Sequence, residues 1–406
     1  MAEGHATGYR SAMRQPVVRR LWTATATSTV GDYIGLSALL FLAADRSGRV
    51  LGVAAVLAVG VVPALLAGTL AGPWIDRLPR ARALASLQFV GAPIVLLPLL
   101  ADGLAIVLAT AALLGAQRTA ASAARSGAIA DGVSDSHRGP LVALLASTDQ
   151  GAQVAGFLTG GALYLLLGIE GALVIDALTF LAAGGVYLTL RIAERTERPP
   201  RPSVTAGVRD IVRDPVLALL AVLVLVTGTV ASLPETLAPF VAGPGDPWRP
   251  FVLASAPLGQ AITMTVIGRL DHVRRPSFQL VHFVALALAL GIAALARSAP
   301  AVAGANLLIG AGVAWIVGPQ LTFLRLAPKV RMAQISGTMI AGLAMADGLG
   351  SLAYAGVAEV AGVSGAYRLA GITLLVAAVV GWLIKERIPD THLLDRGELP
   401  SRPGVT

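Results

Sequence analysis

Asp32, Arg118, Asp149 and Asp347 are ionisable residues placed well inside long apolar stretches of this 406-residue chain. A charge at the centre of a hydrocarbon layer costs about 2.5–3.5 kcal/mol on insertion scales, so each needs a partner or a task. A carboxylate at such a depth can take up a proton or hold the cationic part of a ligand. The competing role is structural: a carboxylate hydrogen-bonded to neighbouring helix ends. Arg is always charged, and Arg118 demands a partner. Arg118 and Asp149 fall in consecutive stretches at similar depth, which permits a pair between them. Such a pair either tunes the protonation of the carboxylate or is a static buried ion pair. Glu235, behind Pro234, and Asp176 fall near the expected ends of their stretches, where the simpler reading is contact with interfacial water.

The elements that must carry these residues follow from composition. Hydrophobic residues make up 55% of the chain and charged residues 13%, against roughly 25% charged in an ordinary soluble domain. A spanning helix needs about 20 mainly apolar residues, and twelve stretches qualify. Spans one to six run Leu21–Ala43, Val50–Pro73, Ala83–Ala101, Leu104–Ala124, Leu141–Leu167 and Gly171–Leu190. Spans seven to twelve run Val216–Val241, Pro250–Gly268, Gln279–Ala296, Ala301–Phe323, Gln334–Val357 and Ala366–Ile384. The stretches are continuous, without the period-two alternation of a membrane barrel. The expected class is therefore an all-α integral membrane protein of about twelve helices. Asp32 lies eleven residues into span one, about 16 Å at 1.5 Å per residue, near the midplane.

Arg and Lys set the orientation. One set of connections, together with both tails, holds about 25 of them; the other holds Arg46, Arg49, Arg249, Arg297 and Arg368. Both termini are expected in the cytoplasm. The net charge of +8 thus reads as orientation rather than nucleic-acid binding, since the basic residues are scattered over short gaps. The longest polar connection lies near the middle and divides the spans six and six. The expected organisation is a cytoplasmic tail (1–20), a six-helix bundle (21–190), a cytoplasmic linker (191–215), a second bundle (216–384) and a cytoplasmic tail (385–406). Asp76 and Arg80 follow span two, and Asp271 and Arg275 follow span eight, both as D-x-x-x-R and 195 residues apart. A duplicated six-helix unit accounts for the match, and duplicated bundles place their substrate at the interface between repeats. Subtracting the same offset from Asp347 lands on Ala152, one helical turn from Asp149.

The segment Gly72-Pro-Trp-Ile-Asp76-Arg77-Leu-Pro-Arg80 resembles the loop motif G-x-x-x-D-R-x-G-R of the major facilitator superfamily. Gly72, Asp76, Arg77 and Arg80 match; Pro79 stands at the second glycine. Gly156-Phe-Leu-Thr-Gly160-Gly161 in span five resembles the G-P-x-x-G-G pattern of that superfamily's proton-driven exporters, with Phe157 in place of proline. Val30-Gly31-Asp32, Ala124-Arg125-Ser126 and Ile175-Asp176-Ala-Leu-Thr-Phe180 look like the branch of macrolide-efflux proteins and enterobactin-type exporters. The resemblance implies alternating access between two six-helix bundles. Asp76, Arg77 and Arg80, with Asp271 and Arg275, would make and break charge-assisted contacts at a cytoplasmic gate. Gly156, Gly160 and Gly161 most simply permit close helix approach.

Other classes lose ground. Lys329 and Lys385 are the only lysines, and neither lies in a phosphate-cradling loop. Gly362-Val-Ser364-Gly365 has the look of an intramembrane serine site, but no histidine follows in a later span to serve as base. Cysteine is absent and the five histidines form no H-E-x-x-H motif, so no metal, cofactor or enzymatic activity is expected. The expected partners are a small amphipathic substrate, protons as coupling ion and the lipid bilayer, with the chain monomeric in a bacterial inner membrane. Proton-coupled efflux is the leading expectation; uniport or import of a metabolite, or a non-transporting sensor on the same scaffold, are the alternatives.

Overall fold

The computed structural model describes residues 2–64, 78–192, 204–267, 276–317 and 332–386. Helix accounts for nearly all of them, and no strand occurs among the described residues. Hydrocarbon offers no water to a peptide group, so every spanning segment must satisfy its own backbone. Span one is the helix Pro16–Ser47, span two starts at Val50, span three is Arg80–Val95 and span four is Leu104–Gly132. Spans five and six form one stretch, Asp135–Leu188, broken at Gly168. Span seven joins Pro215–Ala231 to Leu233–Val241; spans eight, nine and ten are Arg249–Ile267, Pro276–Leu295 and Ala299–Val313. Spans eleven and twelve share Met332–Glu386, broken at Gly362. Both breaks combine a positive φ (70° and 72°) with extended ψ, a conformation essentially reserved for glycine.

The two halves of the chain repeat the same contacts. Gly156 of span five lies against Val30 and Tyr33 of span one, as Gly350 of span eleven lies against Thr229 of span seven. Gly115 of span four meets Gly60 of span two; Gly310 of span ten, 195 residues later, meets Ala256 of span eight. Gly91 of span three faces Phe180 of span six, and Gly371 of span twelve faces Ala287 and Leu290 of span nine. At each of these pairs a small residue lets two helices approach closely, which is how packing substitutes for a hydrophobic drive inside lipid. The breaks at Gly168 and Gly362 are 194 residues apart. The fold is two six-helix repeats of a multi-pass membrane protein.

The halves meet along span two against span eleven, and span five against span eight. Gly348 packs on Ala58 and Val61 in the first contact, and Gly161 on Pro250 in the second. Large apolar side chains such as Leu166, Leu178, Leu288, Ile292 and Val379 are exposed on the outside of the bundle, as a lipid-facing surface requires. The segment before span one is not an irregular tail: Ala2–Arg14 is helical, with Ala12 and Met13 packed into a small core shared with Leu21, Leu84 and Tyr187. The linker contains a short helix, Val204–Arg213. The bundle has a terminal face, which carries the amino-terminal helix, and an opposite far face.

Candidate functional site

A cavity of about 660 Å³ lies between the halves, walled by spans one, two, four, five and six on one side and seven, eight, ten and eleven on the other. Leu36, Leu39, Val56, Leu57, Leu114 and Leu343 supply much of its apolar lining. Asp32, Arg118, Asp176, Glu235 and Asp347 are its charged residues. The volume suits a drug-sized molecule.

Arg118 Nε lies 3.8 Å from Asp32 Oδ2, and half of the Arg118 side chain remains exposed. Arg118 and Asp149 are not an ion pair. Span four lies against spans one, two and three, so the partner of Arg118 comes from span one, not from the next helix in sequence. Asp149 instead accepts a long hydrogen bond, 3.5 Å, from the Tyr33 hydroxyl. Asp347 faces the cavity from the second half, with Oδ1 buried and without a hydrogen-bond partner.

Two residues expected to sit at interfacial water line the cavity instead. Glu235 belongs to span seven, where the helix steps at Ser232 and restarts, and it accepts a hydrogen bond of 3.0 Å from Gln153 Nε2 of span five. That bond crosses the boundary between the halves. Asp176 is 1% exposed. Its carboxylate sits in a notch formed by Gly31 and Gly35, where any Cβ would meet its oxygens. Thr179 Oγ1 donates to Oδ1 at 3.3 Å, while Oδ2 has no partner. The stretches around Gly31 and Asp176, separate in sequence, are therefore two sides of one joint. The helical step at Pro234 was the signal available for Glu235; the Gly31–Gly35 spacing of one turn was the signal for Asp176.

The far face holds a second cluster. Arg249, at the start of span eight, is 1% exposed. Its Nη2 and Nη1 donate to Asp45 of span one at 2.7 and 3.3 Å. Tyr164 of span five donates to the same carboxylate at 2.6 Å. The guanidinium lies 4.4 Å from the centre of the Phe41 ring and 5.7 Å from that of Tyr164. Nearby, Glu359 accepts from the Leu51 N–H at 3.1 Å and from Arg49 Nε at 3.4 Å. Both groups tie the first half to the second. By position in the sequence, Arg249 and Arg49 mark only orientation.

At the terminal face, Arg80 Nε pairs with Asp131 Oδ2 of span four at 2.9 Å, and its guanidinium lies against Gly127. Gly72, Asp76, Arg77, Asp271 and Arg275 lie outside the described residues. Gly156 and Gly160 press on span one, and Gly161 on Pro250. Asn306 accepts from Tyr367 at 2.8 Å, joining spans ten and twelve. Ser364 donates to the Ala294 carbonyl at 2.6 Å, a scaffold contact.

Residues 21–322 match the sequence profile of the Major Facilitator Superfamily. The chain belongs to that family. Solved structures share the architecture at low identity. The nucleoside transporter NupG aligns with a TM-score of 0.70 at 13% identity, over 92% of this chain and 100% of that one. A bacterial homologue of the human lysosomal transporter Spinster, inward-facing and occupied, gives 0.72 at 14% identity, over 95% and 100%. A POT family transporter bound to 5-aminolevulinic acid gives 0.72 at 10% identity, over 92% and 96%. No curated relative matches the sequence. In this facilitator the cavity occupies the boundary between the two repeats, where substrate sites of duplicated transporters lie.

Proposed function

We propose that this facilitator is a proton-coupled exporter of a small amphipathic molecule, working by alternating access in a bacterial inner membrane with both termini in the cytoplasm. The observation that carries the reading is one cavity, bounded by both repeats, that combines apolar walls with carboxylates from each half. The bundles would be residues 21–190 and 216–384, rocking about the cavity. A carboxylate among Asp32, Asp149 and Asp347 takes a proton from outside as substrate leaves. Arg118, within reach of Asp32, feels that change of charge. The resemblance to macrolide-efflux and enterobactin-type exporters supports the direction, and the Arg and Lys distribution supports the orientation.

In this reading the far face is the outside. The Asp45–Arg249–Tyr164 cluster and the Arg49–Glu359–Leu51 contact are closed there and must open for release. The loops bearing Asp76, Arg77 and Arg80, and Asp271 with Arg275, form the opposing cytoplasmic gate. Gly156, Gly160 and Gly161 supply the close-packed surface on which span five moves. Proteoliposomes with an imposed pH gradient test the coupling: export should follow the gradient, and flux indifferent to it rejects proton coupling. Asp32→Asn, Asp149→Asn and Asp347→Asn should each reduce gradient-driven flux; full activity in all of them rejects these residues as the coupling sites.

A further inference from the structure

We infer that the cavity selects an organic cation, held by the carboxylates of Glu235 and Asp347 on the second-half wall. The inference rests on the transport reading and goes beyond it by naming the substrate class. Four carboxylates and a single guanidinium line the cavity among the described residues: Asp32, Asp176, Glu235 and Asp347 against Arg118. Arg118 is engaged by Asp32. Neither Glu235 nor Asp347 forms an ion pair with a described residue. Among the described residues Glu235 is bonded only to the neutral Gln153 amide, and Asp347 has the neutral Ser232 beside it, with Oδ1 buried and unbonded. Asp176, the fourth carboxylate, is 1% exposed, with its unpartnered Oδ2 packed against Gly35 of span one.

Low local polarity raises the consequence of this imbalance. Two unit charges 4 Å apart interact by about 4 kcal/mol at an effective dielectric of 20, against about 1 kcal/mol in water. A buried carboxylate without a fixed cation is stable only with a mobile positive charge, either a proton or a cationic ligand. Both claimants compete for the same oxygens, so a proton arriving at Glu235 or Asp347 displaces the cation and the exchange conserves charge. An anionic substrate of equal shape would meet repulsion from Glu235 and Asp347, and the one guanidinium open to it among the described residues, Arg118, already faces Asp32 at 3.8 Å. The apolar residues around the carboxylates, Leu36, Leu57, Leu343 and Ile340 among them, suit a hydrophobic body around that cation. Tyr33, Thr119, Gln153, Ser232 and Gln260 are the neutral polar residues lining the same space.

Tetraphenylphosphonium and tetraphenylborate are alike in size and shape and opposite in charge, so they separate charge from hydrophobicity. Equilibrium binding to the purified full chain at pH 8 should favour the phosphonium by tenfold or more. Glu235→Gln combined with Asp347→Asn should weaken phosphonium binding about tenfold and leave borate binding unchanged or stronger. Phosphonium affinity should fall as the pH is lowered, because protons claim the carboxylates. Equal binding of the two ions, preference for the borate, binding of neither, or phosphonium affinity unaffected by the double substitution overturns the assignment. Thermal melting of the double variant separates a lost site from a misfolded chain, with Asp347→Asn alone as the milder substitution if the double variant unfolds. Failure here is distinguishable from failure of the exporter reading. Gradient-driven export of an uncharged amphiphile with no phosphonium preference removes the cation site only, whereas phosphonium binding with gradient-independent flux removes proton coupling only.

Discussion

The boundary between the two repeats carries carboxylates in two places, and they are equipped in opposite ways. At the far face, Asp45 receives both terminal nitrogens of Arg249 and the Tyr164 hydroxyl, with the guanidinium stacked beside Phe41. In the cavity, Glu235 has one amide and Asp347 has only the neutral Ser232, with Oδ1 unbonded. A carboxylate held by a fixed guanidinium and a hydroxyl suits a joint that must keep its shape, even though Arg249 Nε itself has no partner. Incomplete satisfaction suits a place where a visiting ligand or proton completes the set. In the proposed transport reading, the first closes a path and the second receives cargo.

The sharpest way to break this comparison is Arg249→Met. It keeps an apolar stem for Phe41 and leaves Asp45 without its cation at the inter-repeat boundary. Breaking a fully buried pair costs about 3–5 kcal/mol, but the Asp45 side chain is 27% exposed, so the loss should be about 1–3 kcal/mol and the melting temperature in detergent should fall clearly. The double replacement Arg249→Met with Asp45→Leu should recover most of that loss while leaving the far face free to open. A single substitution that melts like the unaltered protein would show that the cluster does not hold the halves together.

Glu235→Gln probes the other side of the comparison. Glutamine keeps an acceptor for Gln153 and removes a charge that no described residue balances, so stability should stay level or rise by up to about 1 kcal/mol, in the way that functional sites trade stability for activity. Thermal melting without ligand checks it. A fall of more than about 1 kcal/mol would mean that Glu235 is a structural group, and the contrast with Arg249 would vanish.

The helical architecture was readable before the structure because spanning segments announce themselves: length and apolar continuity depend on local sequence alone. The repeat was readable too, since the 195-residue offset between the D-x-x-x-R segments returns in the pairing of Gly115 and Gly310. Partnerships were less readable. Pairing Arg118 with Asp149 assumed that consecutive helices touch, and a bundle in which span four leans on spans one to three breaks that assumption. Glu235 and Asp176 seemed peripheral because depth was counted along each stretch, whereas cavity exposure depends on how nine helices meet. Arg249 and Asp45 are 204 residues apart, and nothing local marks either as the other's partner.

The smallest expected effect belongs to the second far-face tie. Glu359 lies in the connection between spans eleven and twelve and accepts from the Leu51 N–H at the start of span two, where an anion is favoured by the free N–H groups of the first turn. That backbone hydrogen bond, with Arg49 adding to it, holds the Glu359 carboxyl below the usual glutamate range. A group whose folded pKa is lowered contributes its full stabilisation above the unfolded pKa, and loses it as pH falls through the folded value. Arg49 is 65% exposed, so solvent screens the pair and Glu359→Gln should cost well under about 1 kcal/mol at neutral pH. The gap in melting temperature between the two proteins should then close as the solution is acidified through the carboxylate range. A gap that widened in acid, or one as large as that of Arg249→Met, would make this exposed contact the principal tie at the far face and reverse the ranking of the two.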